Sequence, residues 1–380
     1  MRGQQLENVK LKPKIVDLFC GAGGLSLGAA RAGFNVCCAI DLDSEALTAH
    51  HRNFPNSIHR STDISSLTGQ VLLESFANQY LDGIIGGPPC QGFSPMGKRN
   101  KYDKRNRLFI DFFRIVSEAR PKFFMAENVP GILNELNDEI RNKAFDYVKK
   151  DYILLEPMTL AASDYGAPTI RKRVFFIGYL RDEMNPLMDE TFKPAADVET
   201  VKVKDALLGL PNMIKPGWQT EEQGWRIVHA DGKGNFASRL HGHIPAGVGN
   251  PVALERLKKQ SRASGCLGTV HSREVAERYG NIECGKSDPI SKSYKLDPEG
   301  FCPTLRAGTG PDKGSFQAVR PLHPTQNRVI TPREAARLQG FPDWYQFAPT
   351  KWHSFRQIGS SVSPIISEAV LSSIFNSVIA

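Results

Sequence analysis

The sequence predicts an α/β protein with a doubly wound, mostly parallel sheet and a smaller, irregular second region. Three observations carry this. A strand, a glycine-rich turn, a helix and a second strand follow one another over residues 15–41. Strand-like and helix-like segments keep alternating to about residue 180, the pattern of a parallel sheet covered on both faces. Clear periodicity is then lost over 181–325, a stretch rich in Gly, Pro and Ser.

Each element has a local reason. Residues 15–19 (Ile-Val-Asp-Leu-Phe) read as a short buried strand, and Cys20-Gly-Ala-Gly-Gly24 as a turn. A small-residue helix over 25–32 is stopped by Gly33. A second strand over 35–40 ends in Asp41, completing a βαβ unit with a right-handed crossover. Residues 81–85, 123–126, 153–160 and 173–179 are further strand candidates, and 108–118 is helical. Thr331-Pro-Arg-Glu334 is a capping box that opens a helix through Leu338, with Gly340 as its stop. A last helix spans roughly 362–379.

Composition narrows the function. The 380 residues include 48 basic and 40 acidic side chains, a net charge of +8, with 41% hydrophobic content. That is too apolar for a disordered chain and suits a polyanionic partner. Residues 226–330 carry a balance of +7 and five of the nine His, against −4 over 181–225. This basic stretch is either an ordinary solvated face or a nucleic-acid contact surface. No run approaches the ~18 apolar residues of a membrane span, and the first residues lack the apolar core of a secretory signal. Seven scattered Cys do not form a disulfide framework, so a reducing cytoplasm is expected. Cys266, Cys284 and Cys302 lack a Cys-x-x-Cys pair, and no metal is expected.

Five sites carry chemistry. Gly21, Gly23 and Gly24 follow a strand and open a helix, where missing side chains let a ligand approach the backbone. Asp41 is placed to accept both hydroxyls of a ribose, so a nucleoside-containing cofactor is indicated. The dinucleotide fingerprint wants a third glycine at Ser26, so that match is partial. Cys90 lies just beyond a strand end behind Pro88 and Pro89, as a candidate nucleophile or a small buried apolar residue. Glu127 is again at a strand end, as a solvated loop residue or a fixed acid. Arg171 and Arg173 alternate, which puts them on one face of a strand. Lys98, Arg99, Lys101, Lys104, Arg105 and Arg107 share ten residues with one acid, Asp103. They form a solvated loop or a clamp on a phosphate backbone.

Together these segments resemble the cytosine-C5 DNA methyltransferases of bacterial restriction–modification type. Asp17-Leu-Phe-Cys-Gly-Ala-Gly-Gly24 is similar to the family's first cofactor motif, and Pro88-Pro-Cys-Gln-Gly-Phe-Ser94 to its catalytic loop. Glu127-Asn-Val129, Arg171-Lys-Arg173, Arg333 to Pro342 and Gln357 to Val362 resemble its later motifs. The resemblance implies a Rossmann-like fold that uses S-adenosylmethionine and releases S-adenosylhomocysteine. It implies that Cys90 attacks C6 of a target cytosine and Glu127 holds N3 and the amino group. Arg173 would bind O2 and orient Glu127, with Arg171 in support. Cofactor contacts fall on Phe19, Gly21, Gly23, Gly24, Asp41, Leu42, Asp63, Ile64, Pro89, Leu108, Ser361 and Val362. DNA contacts fall on Ser94, Lys98, Arg99, Arg105, Thr304, Leu305 and Arg306. Residues 1–190 plus 356–380 would form the catalytic domain, and 191–355, including Thr331–Pro342, a target-recognition domain. Double-stranded DNA, a monomeric state, a bacterial cytoplasmic location at the nucleoid and a functionally paired endonuclease are also implied. Thr169, Ser360 and Leu42 depart from the family's usual Gln, Asn and aromatic residue. An RNA cytosine methyltransferase, a catalytically silent DNA binder and an NAD oxidoreductase are the alternatives. The first lacks its Cys-Phe-Thr signature here, and the last leaves Pro-Pro-Cys-Gln without a role.

Overall fold

The computed structural model describes residues 12–74, 80–89, 106–308 and 320–379. Strand β1 (Lys14–Leu18) is buried on both faces and lies in the interior of an eight-stranded sheet. Helix α1 (Gly24–Ala32) leads from it to β2 (Asn35–Asp41), and α2 (Ser44–Asn53) leads on to β3 (Ile58–Ser61). The chain then returns through α3 (Gly69–Glu74) to β4 (Gly83–Gly86) on the other side of β1, followed by α4 (Asn106–Ala119) and β5 (Phe123–Asn128). After α5 (Asp138–Asp146) come β6 (Tyr152–Leu154), β7 (Met158–Ala161) and β8 (Lys172–Leu180).

The strand order is β3-β2-β1-β4-β5-β8-β6, with β7 also paired to β8. The pairs among β1 to β5 are parallel, whereas β8 runs antiparallel to β5, β6 and β7. Strand order reverses between β1 and β4, and the crevice beyond their carboxyl ends is where such sheets bind ligands. The single strand expected over 153–160 is divided. Pro157 has no N–H for a ladder, so the chain breaks there and β6 and β7 pair separately with β8.

Alternation along the strands separates two cores. Ile15, Ile85, Met125 and Phe175 face α1, while Val16, Ile84, Phe124 and Phe176 face the opposite side. On that opposite side Phe113 of α4 packs edge-on against Phe124, with ring centroids 5.3 Å apart, a favoured aromatic geometry.

The stretch expected to lack periodicity holds short elements joined by loops: α6 (Val203–Leu207), β9 (Arg226–Ile227), α7 (Asn235–His241), α8 (Pro251–Gln260), β10 (Arg262–Ala263) and α9 (Arg273–Gly280). Asn250 and Ser272 cap α8 and α9 through their side chains. Helix α10 (Pro332–Leu338) starts at the expected capping box, with Thr331 and Glu334 bonded reciprocally. Two helices follow, α11 (Lys351–Ser360) and α12 (Pro364–Ile379). Taken together they are apolar and long enough to cross a membrane by composition, yet half of that window is buried and the helix breaks at Ser361–Ser363. One continuous core joins Leu27 and Ile366 to Phe236, Leu240, Leu257 and Ile330. The expected boundaries at 190/191 and 355/356 therefore fall within shared packing.

Candidate active site

The turn after β1 is built by three glycines with three different physical needs. Gly21 (φ +54) has open space where a Cβ would stand, and its N–H donates to Asp41 Oδ2 at 2.8 Å. Gly23 (φ +93) lies 2.5 Å, measured from such a Cβ, from the Tyr345 hydroxyl, so a side chain there would collide. Gly24 is pressed against the backbone of Val362. Phe19 adopts φ 62 without being glycine, a strained conformation that persists only where its surroundings enforce it. Phe19, Leu108 and the buried Ile64 meet at the same apolar cluster on the α4 side of the sheet.

Asp41 ends β2. Its Oδ1 accepts from the Asp43 N–H at 2.8 Å, and burial raises its carboxyl above the usual range. Each oxygen keeps a second lone pair. Leu42 beside it is 67% exposed. Asp63 is exposed, with Oδ1 accepting from Ser65 N–H at 2.9 Å. Ser361 and Val362 are buried against Gly24, and Ser361 Oγ donates to Gln357 O at 2.7 Å.

Across the crevice, β5 and β8 bring Glu127 and Arg173 together. Arg173 Nε lies 2.6 Å from Glu127 Oε1, and both side chains are nearly buried. Burial raises the Glu127 carboxyl above its ordinary value, against the pull of Arg173 and Arg171. A Cβ on Gly87 would stand 3.1 Å from Glu127 Oε2, so the acid's second oxygen faces the root of the Pro88-Pro89 segment. Pro88 is buried and Pro89 half-buried. Asn128 Nδ2 donates to Pro88 O at 3.3 Å and fixes that root.

Arg171 and Arg173 have separate partners. Arg171 precedes β8 and is 2% exposed. It donates from Nη1 to Leu305 O and from Nη2 to Gly359 O, each at 2.9 Å. Cys302 O accepts from Thr169 Oγ1 at 3.0 Å and from Ile170 N at 3.1 Å. These bonds hold Thr304, Leu305 and Arg306 beside the site, with Leu305 buried and its two neighbours exposed.

Cys90, Ser94, Lys98, Arg99 and Arg105 lie outside the described residues. Three positioning residues were not singled out from the sequence. Asn128 lies inside the Glu127–Val129 motif and Gly87 directly before Pro88-Pro89, so those motifs were the available signal. Gly28 packs on Ser367 of α12, and its spacing of four from Gly24 marks a small-residue helix face.

The doubly wound sheet, the glycine turn at its switch point and the buried carboxylate–arginine pair define a Rossmann-like enzyme of the methyltransferase class. The family model for C-5 cytosine-specific DNA methylases matches residues 13–376. The chain is 37% identical over 371 residues to the Type II methyltransferase M.XorII of Xanthomonas oryzae pv. oryzae, covering 94% of this chain and 84% of that protein. It is 34% identical to the Type II methyltransferase M.DdeI of Desulfomicrobium norvegicum, covering 94% and 87%. A crystal structure of a prophage-encoded putative DNA modification methyltransferase from E. coli superposes with a TM-score of 0.88 at 50% identity, covering 97% of this chain and 100% of that one. The chain belongs to the C-5 cytosine-specific DNA methylase family, and it is accordingly a DNA cytosine methyltransferase.

Proposed function

We propose that this enzyme methylates C5 of a flipped-out cytosine in a specific duplex DNA sequence, as the modification arm of a Type II restriction–modification system. The observation that carries the mechanism is the Glu127 carboxyl, held by Arg173 and facing Gly87, three residues before Cys90.

The residues at the turn fit S-adenosylmethionine. Gly21 opens onto free space, and among the described residues the buried Asp17 Oδ1 beneath the turn has no hydrogen-bond partner, which suits a cationic ligand. Phe19 and Leu108 would pack on the adenine ring, with Asp63 and Ile64 at its edge. Asp41 would take the ribose and Gly21, Gly23, Gly24, Ser361 and Val362 the remainder, with Leu42 and Pro89 at the margins. When bound, the cofactor supplies an electrophilic methyl group.

Cytosine C5 is a poor nucleophile until something adds at C6, which calls for covalent catalysis. The Cys90 thiolate adds to C6, an ionisation that positive charge favours. Glu127, its carboxyl raised by burial, donates toward N3 and accepts from the amino group, moving electron density to C5. Arg173 binds O2 while fixing Glu127, and Arg171 braces Leu305 and Gly359. After methyl transfer, loss of the C5 proton lets the Cys90–C6 bond break and aromaticity return. Extrusion of the base costs about a few kcal/mol. Ser94, Lys98, Arg99 and Arg105 hold the opened strand, and residues 191–355, including Thr304, Leu305 and Arg306, read the sequence. The cytoplasm of a bacterial cell, a monomeric state and a paired endonuclease complete this reading.

The test incubates the protein with labelled S-adenosylmethionine and, separately, duplex DNA or transfer RNA. Label at C5 of cytosine within one short DNA motif is expected. Duplex carrying 5-fluorocytosine at that position traps a denaturation-resistant adduct, because fluorine cannot leave as a proton does. Cys90→Ser abolishes transfer and the adduct while cofactor binding persists. Label confined to RNA, or full activity in Cys90→Ser, overturns the reading.

A further inference from the structure

A chain of hydrogen bonds runs from beneath the glycine turn to the protein surface through four elements. Ser26 Oγ of α1 lies 2.5 Å from Asp17 Oδ2 of β1, and all of this pair is buried. His50 of α2, also fully buried, places Nε2 2.9 Å from Ser26 Oγ and Nδ1 2.9 Å from His59 Nε2 of β3. His59 Nδ1 then lies 3.3 Å from His51 Nδ1, and His51 is exposed. Every link joins hydroxyl, carboxyl or imidazole atoms, each able to donate or accept. The chain can therefore run in either direction with the same heavy-atom positions.

We propose that binding of the positively charged cofactor at the turn expels one proton from Asp17, and that Ser26, His50, His59 and His51 carry it to solvent by reversing each hydrogen bond in turn. This rests on the reading that S-adenosylmethionine binds at this turn. In the free protein the Asp17 carboxyl donates to Ser26, Ser26 to His50 Nε2, His50 Nδ1 to His59 Nε2, and His59 Nδ1 to His51 Nδ1. His51 then carries its proton on Nε2. With the cofactor bound, Asp17 is a carboxylate and each donor has become an acceptor. The one proton lost from the chain leaves His51 Nε2 for the buffer. The demethylated product is a neutral thioether, one positive charge fewer, so it gives Asp17 no reason to stay ionised. The proton returns, and the site favours substrate over product.

The surroundings agree. Burial pushes the Asp17 carboxyl up to about 7, with the charge of Asp41 adding and the Ser26 hydrogen bond opposing. Burial, aided by the neighbouring histidines, lowers His50 well below its ordinary value and His59 to about 4, so both stay neutral and pass a proton without storing it. Cys20, Cys38 and Tyr345, which also feel the charge of Asp17, are all raised by burial and hold their own protons. Asp17 Oδ1, buried and without a hydrogen-bond partner among the described residues, marks the end of the chain nearest the turn.

The experiment is titration calorimetry on the full chain in two buffers of unlike ionisation enthalpy, with S-adenosylmethionine and, separately, S-adenosylhomocysteine. About one proton is released per S-adenosylmethionine near pH 6, and none at pH 8.5. Its Kd weakens about tenfold per pH unit below pH 7, while that of the product stays flat. Asp17→Asn loses the release. Ser26→Ala retains the carboxyl but cuts the chain, so a pH indicator in stopped flow shows release lagging behind binding. Equal release with both ligands, release persisting in Asp17→Asn, or no lag in Ser26→Ala overturns the proposal. Binding without proton release overturns it alone, whereas no binding of either ligand takes the cofactor reading down with it.

Discussion

Two buried assemblies in this molecule are made of the same parts, arginines and carboxylates, and they behave oppositely. Beneath α10, Asp343 accepts from Arg337 Nε at 2.9 Å and Nη2 at 2.7 Å, and His241 Nε2 lies 2.9 Å away. Glu334 accepts from Arg328 at 2.9 and 2.7 Å and from the Thr331 N–H at 2.7 Å. Arg337 and Arg328 outweigh the burial of these acids, which are held below their usual range. Among the described residues Glu127 has one ion pair, from Arg173 Nε, with Arg171 adding its charge, and burial wins, so its carboxyl is raised. The difference lies in how completely each carboxylate is satisfied. A fully paired acid is a fixed anion that holds structure. A partly paired one keeps an oxygen and a titration within reach of chemistry.

The comparison can be broken at either end. The largest effect is expected for Glu127→Gln, which keeps the shape and removes the acid. Single-turnover methyl transfer falls about 10²–10⁴-fold with the melting temperature essentially unchanged. A large loss of stability instead would make Glu127 another structural anion. Next is Arg337→Leu, which takes from Asp343 its paired guanidinium, leaving His241 and the more distant Arg333, and lowers the unfolding free energy by about 3 kcal/mol in urea titrations. Adding Asp343→Leu should recover only part of it, because buried Arg333, 3.9 Å from Asp343 Oδ1, then loses its carboxylate. The smallest effect is in acid. Asp343 and Glu334 have depressed carboxyls in the fold, so their stabilisation is complete above their unfolded values of 3.8 and 4.5 and is lost as pH falls below them. Between pH 7 and pH 5 stability should rise as pH falls, because folded Asp17, raised to about 7, takes up a proton that the unfolded chain does not; it should decline below about pH 4, and Asp343→Asn should flatten that decline.

Much of the scaffold was legible because it rests on local rules. The βαβ unit through residue 41, the stop at Gly33 and the capping box at Thr331 each follow from neighbours in sequence. The observed α1 and α4 begin within two residues of where periodicity placed them. Long-range partnership was not legible. Arg171 sits in a basic triplet of the kind usually found on a solvated face, yet two carbonyls more than 130 residues away bury it. Ser26 looked like a missing third glycine, and it is the link between Asp17 and His50. Helix α11 went unseen, since its buried face is set by packing more than by a clean period. The strand expected over 153–160 failed at Pro157, where a single missing N–H outweighed apolar character.

The contact between α1 and α12 also sets an order of events on the ribosome. Ser367 Oγ donates to Gly24 O at 3.0 Å across 343 positions of chain, and Gly28 leaves room for that approach. All the strands of the large sheet are synthesised by residue 180, but the helix that backs the glycine turn emerges nearly two hundred residues later. A nascent chain can therefore finish its sheet while the wall behind the turn is still missing. A ribosome that stalls before α12 leaves a chain with every strand of its large sheet and without the helix that backs the glycine turn.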